Sequence, residues 1–197
     1  MVDNSSMEKN TATRILDVAQ EMVRSRGYSA FSYADISKEV GIRKASIHYH
    51  FPSKDELVKA LVKRYRERIV RACELIAQSD NSLNEQMMQF VALYQNGLDS
   101  NQICLCAMLA ADFAVLPQAV QDEIRAFFQD AEAWLTTLLQ NGDDAGLWVC
   151  RPSAQQEAKA LIAMLQGAQL LARSSEDQTY TFEQVVYPIL NAKFSSP

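Results

Sequence analysis

The sequence is poor in residues that do chemistry. Its only histidines are His48 and His50. Two residues apart on a helix is about 200° of rotation, so the two rings cannot close on one metal ion. The four cysteines, Cys73, Cys104, Cys106 and Cys150, are spaced like no zinc site. There is no Ser/His/Asp set and no glycine-rich phosphate loop, so neither an enzyme nor a cofactor is expected. No apolar run approaches the roughly 20 residues of a membrane span. Residues 1–10 are polar and lack the apolar core of a secretory signal. A cytoplasmic protein with reduced cysteines and no membrane partner is the expectation. Internal repeats, low-complexity tracts and convincing strands are also missing.

Cations are scarce in the latter part of the chain. Residues 72–197 hold 5 Lys+Arg against 15 Asp+Glu, a net of −10, whereas residues 1–71 hold 14 against 9, a net of +5. A basic first third on an acidic body suits a protein that meets a polyanion with one end only. The overall balance, 48% hydrophobic and 22% charged, is that of an ordinary globular protein.

The most informative stretch runs from Asp35 to Phe51. Ile36 and Val40 lie four apart on one face of a short helix, and Gly41 supplies a turn where a residue without Cβ is least costly. A second helix is expected over 43–50. Ile47 and Phe51 form its inward face. Lys44 with His48, and Ala45 with Tyr49, are i,i+4 pairs pointing the other way. Cation, methyl, imidazole and phenol together suit a DNA major groove. Ser32 stands three residues before Asp35 as a capping-box start, and Ser53 with Glu56 opens the next helix.

Elsewhere the periodicity predicts only helices. The first spans about 11–26, with Ile15, Ala19, Met22 and Val23 inward and Gly27 as its stop; residues 1–10 are expected to be an arm or unstructured. A long helix over about 53–78 begins beside the second short helix and continues into the body, so it could carry a displacement between them. Further helices are expected over about 83–98, 102–115, 117–140, 153–173 and 182–194, the last bent at Pro188. The 102–115 segment is almost wholly apolar and should be buried on most sides. Residues 141–146 read as a turn. The expected fold is all-α with about nine helices. An N-terminal three-helix helix-turn-helix domain (1–52) is followed by a helical domain (53–197).

The run Gly41-Ile-Arg-Lys-Ala-Ser-Ile-His-Tyr-His-Phe-Pro-Ser-Lys-Asp-Glu-Leu57 resembles the signature of the TetR family of one-component transcriptional regulators. Ile15-Leu-Asp-Val-Ala, Arg26-Gly-Tyr and Phe31-Ser-Tyr-Ala-Asp-Ile36 match the same pattern, so the likeness covers about 11–60. Beyond it, Cys104-Leu-Cys-Ala-Met-Leu, Leu116-Pro and Gly146-Leu are similar to a subset of family ligand domains that carry a cysteine at that helix start.

The resemblance implies that the second short helix reads DNA. Arg43 and Lys44 become the base-edge candidates, either able to donate to guanine, and Ala45 can touch a thymine methyl. Ser32, Ser46, Tyr49, His50 and Lys54 would meet phosphates. His48 and His50 stand where the family usually has Tyr, and Arg43 where a small or polar residue is commoner, so the resemblance implies the fold but not the base preference. Phe90, Tyr94, Cys104, Met108, Phe113, Phe128, Trp134 and Met164 come from helices that in the family enclose an effector cavity. Few cations follow residue 72, which favours a neutral, cationic or aromatic effector. The family's last two helices make a dimeric four-helix bundle. The expectation is therefore a homodimeric repressor on a near-palindromic double-stranded operator, released by a small molecule. The alternative is the same scaffold switched by oxidation or electrophile modification at Cys104 or Cys106.

Overall fold

The computed structural model describes residues 4–194, with side chains from residue 10 onward. Among the described residues it contains nine α-helices and no strand. These are α1 (Asn4–Arg26), α2 (Tyr33–Val40), α3 (Lys44–His50), α4 (Lys54–Ala77), α5 (Leu83–Gln95), α6 (Leu105–Ala110), α7 (Gln118–Asp144), α8 (Ala154–Ala172) and α9 (Gln178–Phe194). Short 3-10 turns, Leu98–Ser100 and Phe113–Val115, flank α6.

Several boundaries differ from the sequence reading; α5 ends at Gln95 rather than 98, and α9 starts at Gln178 rather than 182. Residues 4–10 continue α1 rather than forming an arm, and residues 1–3 of that expected arm lie outside the described residues. Met7, Glu8 and Lys9 are good helix formers with no breaker between them. The helix expected over 102–115 is only Leu105–Ala110. Ile103, Cys104, Leu105, Cys106 and Leu109 are all buried. Residues 103–106 are buried throughout and carry no period to mark where a helix starts, whereas Ala110, Ala111, Ala114 and Val115 are exposed, so the segment is not buried on most sides as its composition suggests. Finally, α7 continues through Asp144, and the stop is Gly146 at φ 68. Gly142 lies inside that last turn because Trp148 packs against it, where an added Cβ would come within 2.0 Å of the indole.

The chain forms two compact units, and they do not divide at residue 52. One takes the chain through Arg66 together with Leu105–Ile124; the other takes Glu67–Cys104 and everything from Arg125 onward. Both α4 and α7 therefore contribute to each unit. In the first, α1, α2 and α3 surround Ile15, Ala19, Ile36, Ile47 and Leu57, and α6 packs on α1. Arg64 pairs with Asp17 at 2.9 Å and Arg66 with Glu123 at 3.3 Å, fixing the first half of α4. In the second, α8 and α9 pack along each other, burying Leu161, Leu165, Ala168, Phe182, Val186 and Leu190. Glu157, buried in α8, is paired with Lys193 of α9. Leu170, Leu171, Tyr180 and Ile189 of the same two helices remain exposed.

Candidate nucleic-acid interface

The turn between α2 and α3 is held from both sides. Ser32 accepts from the Ala34 N–H, while the Asp35 carboxylate accepts from the Ser32 N–H at 2.8 Å and the Ser32 hydroxyl at 2.7 Å. Those bonds hold the Asp35 carboxyl below its usual range. At the other end of α2, Gly41 adopts φ 74, and the Gly41 and Ile42 N–H groups return to Ser37 O. The Ser37 hydroxyl donates to Ile42 O, and Arg14 of α1 donates to Val40 O at 2.6 Å. The Tyr33 hydroxyl donates to Phe51 O at 2.8 Å, which ties the far end of α3 to α2.

With both ends tied, α3 has one orientation. Ile47 is fully buried and Phe51 nearly so. Arg43, Lys44, Ala45, His48 and Tyr49 are exposed, and Tyr49 reaches 71%. Ser46 and His50 are half-buried, with the His50 ring edge-on to Tyr49 at 5.2 Å. The helix itself starts at Lys44, and Arg43 is its extended N-cap. A hollow of about 370 Å³ lies beside α3, lined by Phe31, Ser32, Tyr33, Ala34, Lys44, His48 and Lys54. The sequence-predicted residues Ser32, Lys44, His48 and Lys54 thus meet around one depression.

Lys54 is the surprise of the group. Its ammonium donates to Tyr28 O at 2.7 Å and Phe31 O at 2.8 Å, and sits 4.3 Å and 4.2 Å from the two ring centres. Desolvation by this half-buried setting lowers its pKa, against the pull of Asp55, Asp112 and Asp35. Two of its three protons are therefore engaged by backbone, leaving one for any phosphate.

The eight expected effector residues are divided between the two units. Phe90, Tyr94, Cys104, Phe128, Trp134 and Met164 belong to the second unit, whereas Met108 and Phe113 belong to the first. There Met108 approaches Gly27 at the end of α1. In the second unit Phe90 stacks on Trp134 at 5.0 Å and meets Tyr94 edge-on at 5.4 Å. Cys104 is buried, and Met164 and Phe128 are half-buried, the latter against Phe127. Sequence reasoning missed Gln169, which is 1% exposed. Its amide donates to Tyr94 O and accepts from the Cys104 N–H at 3.1 Å. The available signal was a polar residue interrupting the apolar face of α8. No helix among the described residues is long and apolar enough to cross a membrane.

A buried inward face, a cationic outward face and a capped turn between two short helices define a helix-turn-helix DNA-binding protein. The comparisons agree. The family model for bacterial regulatory proteins of the tetR family matches residues 15–61. A TetR-family transcriptional regulator of known crystal structure from Agrobacterium tumefaciens is 35% identical, with 95% of this chain and 100% of that one covered and a TM-score of 0.90. A TetR transcriptional regulator from Legionella pneumophila is 33% identical over 91% and 95% of the two chains, with a TM-score of 0.82. The HTH-type transcriptional repressor NemR of Escherichia coli K12 is 24% identical over 181 residues, 87% of this chain and 88% of that protein. The chain belongs to the TetR family of DNA-binding transcriptional regulators, which are not enzymes.

Proposed function

We propose that the protein is a homodimeric, cytoplasmic repressor that leaves a near-palindromic operator when a small molecule binds its helical body. The observation that carries this reading is the arrangement of α3, with Ile47 buried and Lys44, Ala45, His48 and Tyr49 exposed on a helix tied at both ends. Arg43, Lys44 and Ala45 meet base edges. Ser32, Ser46, Tyr49 and His50 meet phosphates, and Lys54 adds its remaining N–H. The exposed Leu170, Leu171, Tyr180 and Ile189 on α8 and α9 support a dimer built on these helices. Two copies of α3 then enter successive major grooves about 34–36 Å apart. In functional terms, 1–52 reads DNA and 53–197 binds the effector and the second copy.

The aromatic cluster of Phe90, Tyr94 and Trp134, with Cys104, Phe128 and Met164, supports an apolar effector site. The Gln166 amide of α8 is buried with no hydrogen-bond partner for either polar atom, a handle for such a ligand. An effector that prefers a spacing DNA does not fit shifts the population away from the operator. Repression is favoured by the likeness to NemR, a repressor by name. Selection from a random duplex library tests the reading. It expects a near-palindrome bound by two chains, and an absence of enrichment would reject it. The cysteine alternative is tested by Cys104→Ser under mild oxidant. Burial of Cys104 and Cys106 favours packing over sensing.

A further inference from the structure

The two histidines of α3 differ in what holds them. The His48 Nδ1 lies 3.2 Å from Pro52 O, and its ring packs on Tyr33 with centres 4.7 Å apart. A carbonyl oxygen only accepts, so Nδ1 carries the proton. Nε2 has no partner among the described residues, and the ring lines the same hollow as Lys44. A neutral imidazole protonated at Nδ1 must show a lone pair at Nε2. Beside two cations, the reader helix thereby offers a ring nitrogen that accepts and has no proton to donate.

We infer that His48 is a specificity-determining residue that reads an exocyclic amine, cytosine N4 or adenine N6, through Nε2. This rests on the proposal that α3 lies in the major groove. There the only base donors are those two amines, whereas guanine shows acceptors alone. Lys44 and His48 are one helical turn apart, about 6 Å, or one to two base-pair steps. The amine-bearing base is thus placed within two base pairs of a guanine read by Lys44.

The titratable neighbours of the ring are Tyr33, Lys44 and Lys54. Tyr33 of α2 has its phenol pushed up to about 12, by burial first and Asp55 second, and stays neutral. Lys44 of α3 and Lys54 of α4 line the hollow, and the carboxylates of Asp35 and Asp55 act on Lys54.

The test is selection from a random duplex library with the full chain, His48→Phe and His50→Gln. Phenylalanine keeps the ring on Tyr33 and removes both nitrogens. The unaltered chain should prefer cytosine or adenine about tenfold at one position per half-site. His48→Phe should lose the preference at that position and keep the neighbouring guanine. His50→Gln should keep both. A preference surviving in His48→Phe, a guanine preference at that position in the unaltered chain, or a preference lost in His50→Gln overturns the assignment of His48 while leaving the DNA-reading helix intact. Failure of every form to enrich any sequence overturns both.

Discussion

The Lys54 ammonium donates to the carbonyl oxygen of Tyr28 and lies over the ring of the same residue, 4.3 Å from its centre. One side chain at the start of α4 thereby holds the loop that feeds α2. Phe31 is gripped in the same way, and the Tyr28 hydroxyl answers with a bond to Asp55 at 3.2 Å. The cation that the sequence assigns to a phosphate is first of all a brace for Ser32 and the capping box beside it.

Lys54→Ala should therefore lower stability as well as DNA affinity. Two charge-assisted bonds and two ring contacts are lost, but the site is only half-buried, so about 2 kcal/mol is the expected cost. Urea unfolding of the variant measures it. Operator binding at several salt concentrations separates the second effect, since losing one phosphate contact lowers the salt slope by about one. Unchanged stability would show that the carbonyl contacts contribute nothing.

Lys44 makes no such bracing contact among the described residues, being exposed at the first position of α3. Lys44→Ala should leave the unfolding curve in place and weaken operator binding by about 1–3 kcal/mol, with preference relaxed at one base pair per half-site. Fluorescence anisotropy on the selected operator and on single-base variants checks both parts. Equal weakening on all sequences would reassign Lys44 to the DNA backbone.

How far these roles were legible depends on how far apart in sequence their partners lie. Ser32 and Asp35 cap α2 across three residues, and Gly41 turns the chain within its own neighbourhood, so local pattern sufficed. Lys54 finds carbonyls 26 and 23 residues back, and Gln169 finds partners 65 and 75 residues back. No spacing rule encodes such meetings; they follow from how helices pack. The division of the effector candidates has the same origin. Met108 and Phe113 read as part of one apolar helix, yet that helix is only Leu105–Ala110, which packs on α1, and Phe113 lies beyond it in a 3-10 turn.

The Asp35 capping box gives a pH dependence of definite sign. The Asp35 carboxyl is held down chiefly by the Ser32 hydroxyl and then by the Ser32 N–H. A carboxyl with a depressed folded pKa stabilises above its unfolded pKa, about 4, and that contribution is lost as pH falls through the folded value. Asp35→Ala should melt lower than the unaltered chain at pH 7, and the gap should close in acid. Thermal scans from pH 7 to pH 2.5 read the difference. Glu85, bonded to Ser82 at the start of α5, should behave alike. A gap independent of pH would place the effect in packing or helix propensity rather than in the charged cap.

Gln169 joins two helix ends that need partners. The Tyr94 carbonyl is among the last four of α5 and the Cys104 N–H precedes the first turn of α6, where backbone groups lack intrahelical bonds. Gln169→Leu keeps the bulk and removes both bonds, leaving buried polar groups to bear the desolvation cost. A loss of about 2–4 kcal/mol is expected in urea unfolding, larger than for a surface change because the site is 1% exposed. Tyr94 and Cys104 also belong to the proposed effector site, so operator release by any identified effector should be altered more in Gln169→Leu than in a variant of equal instability elsewhere, such as Ile15→Ala. A matched pair with the same release curve would confine Gln169 to structure.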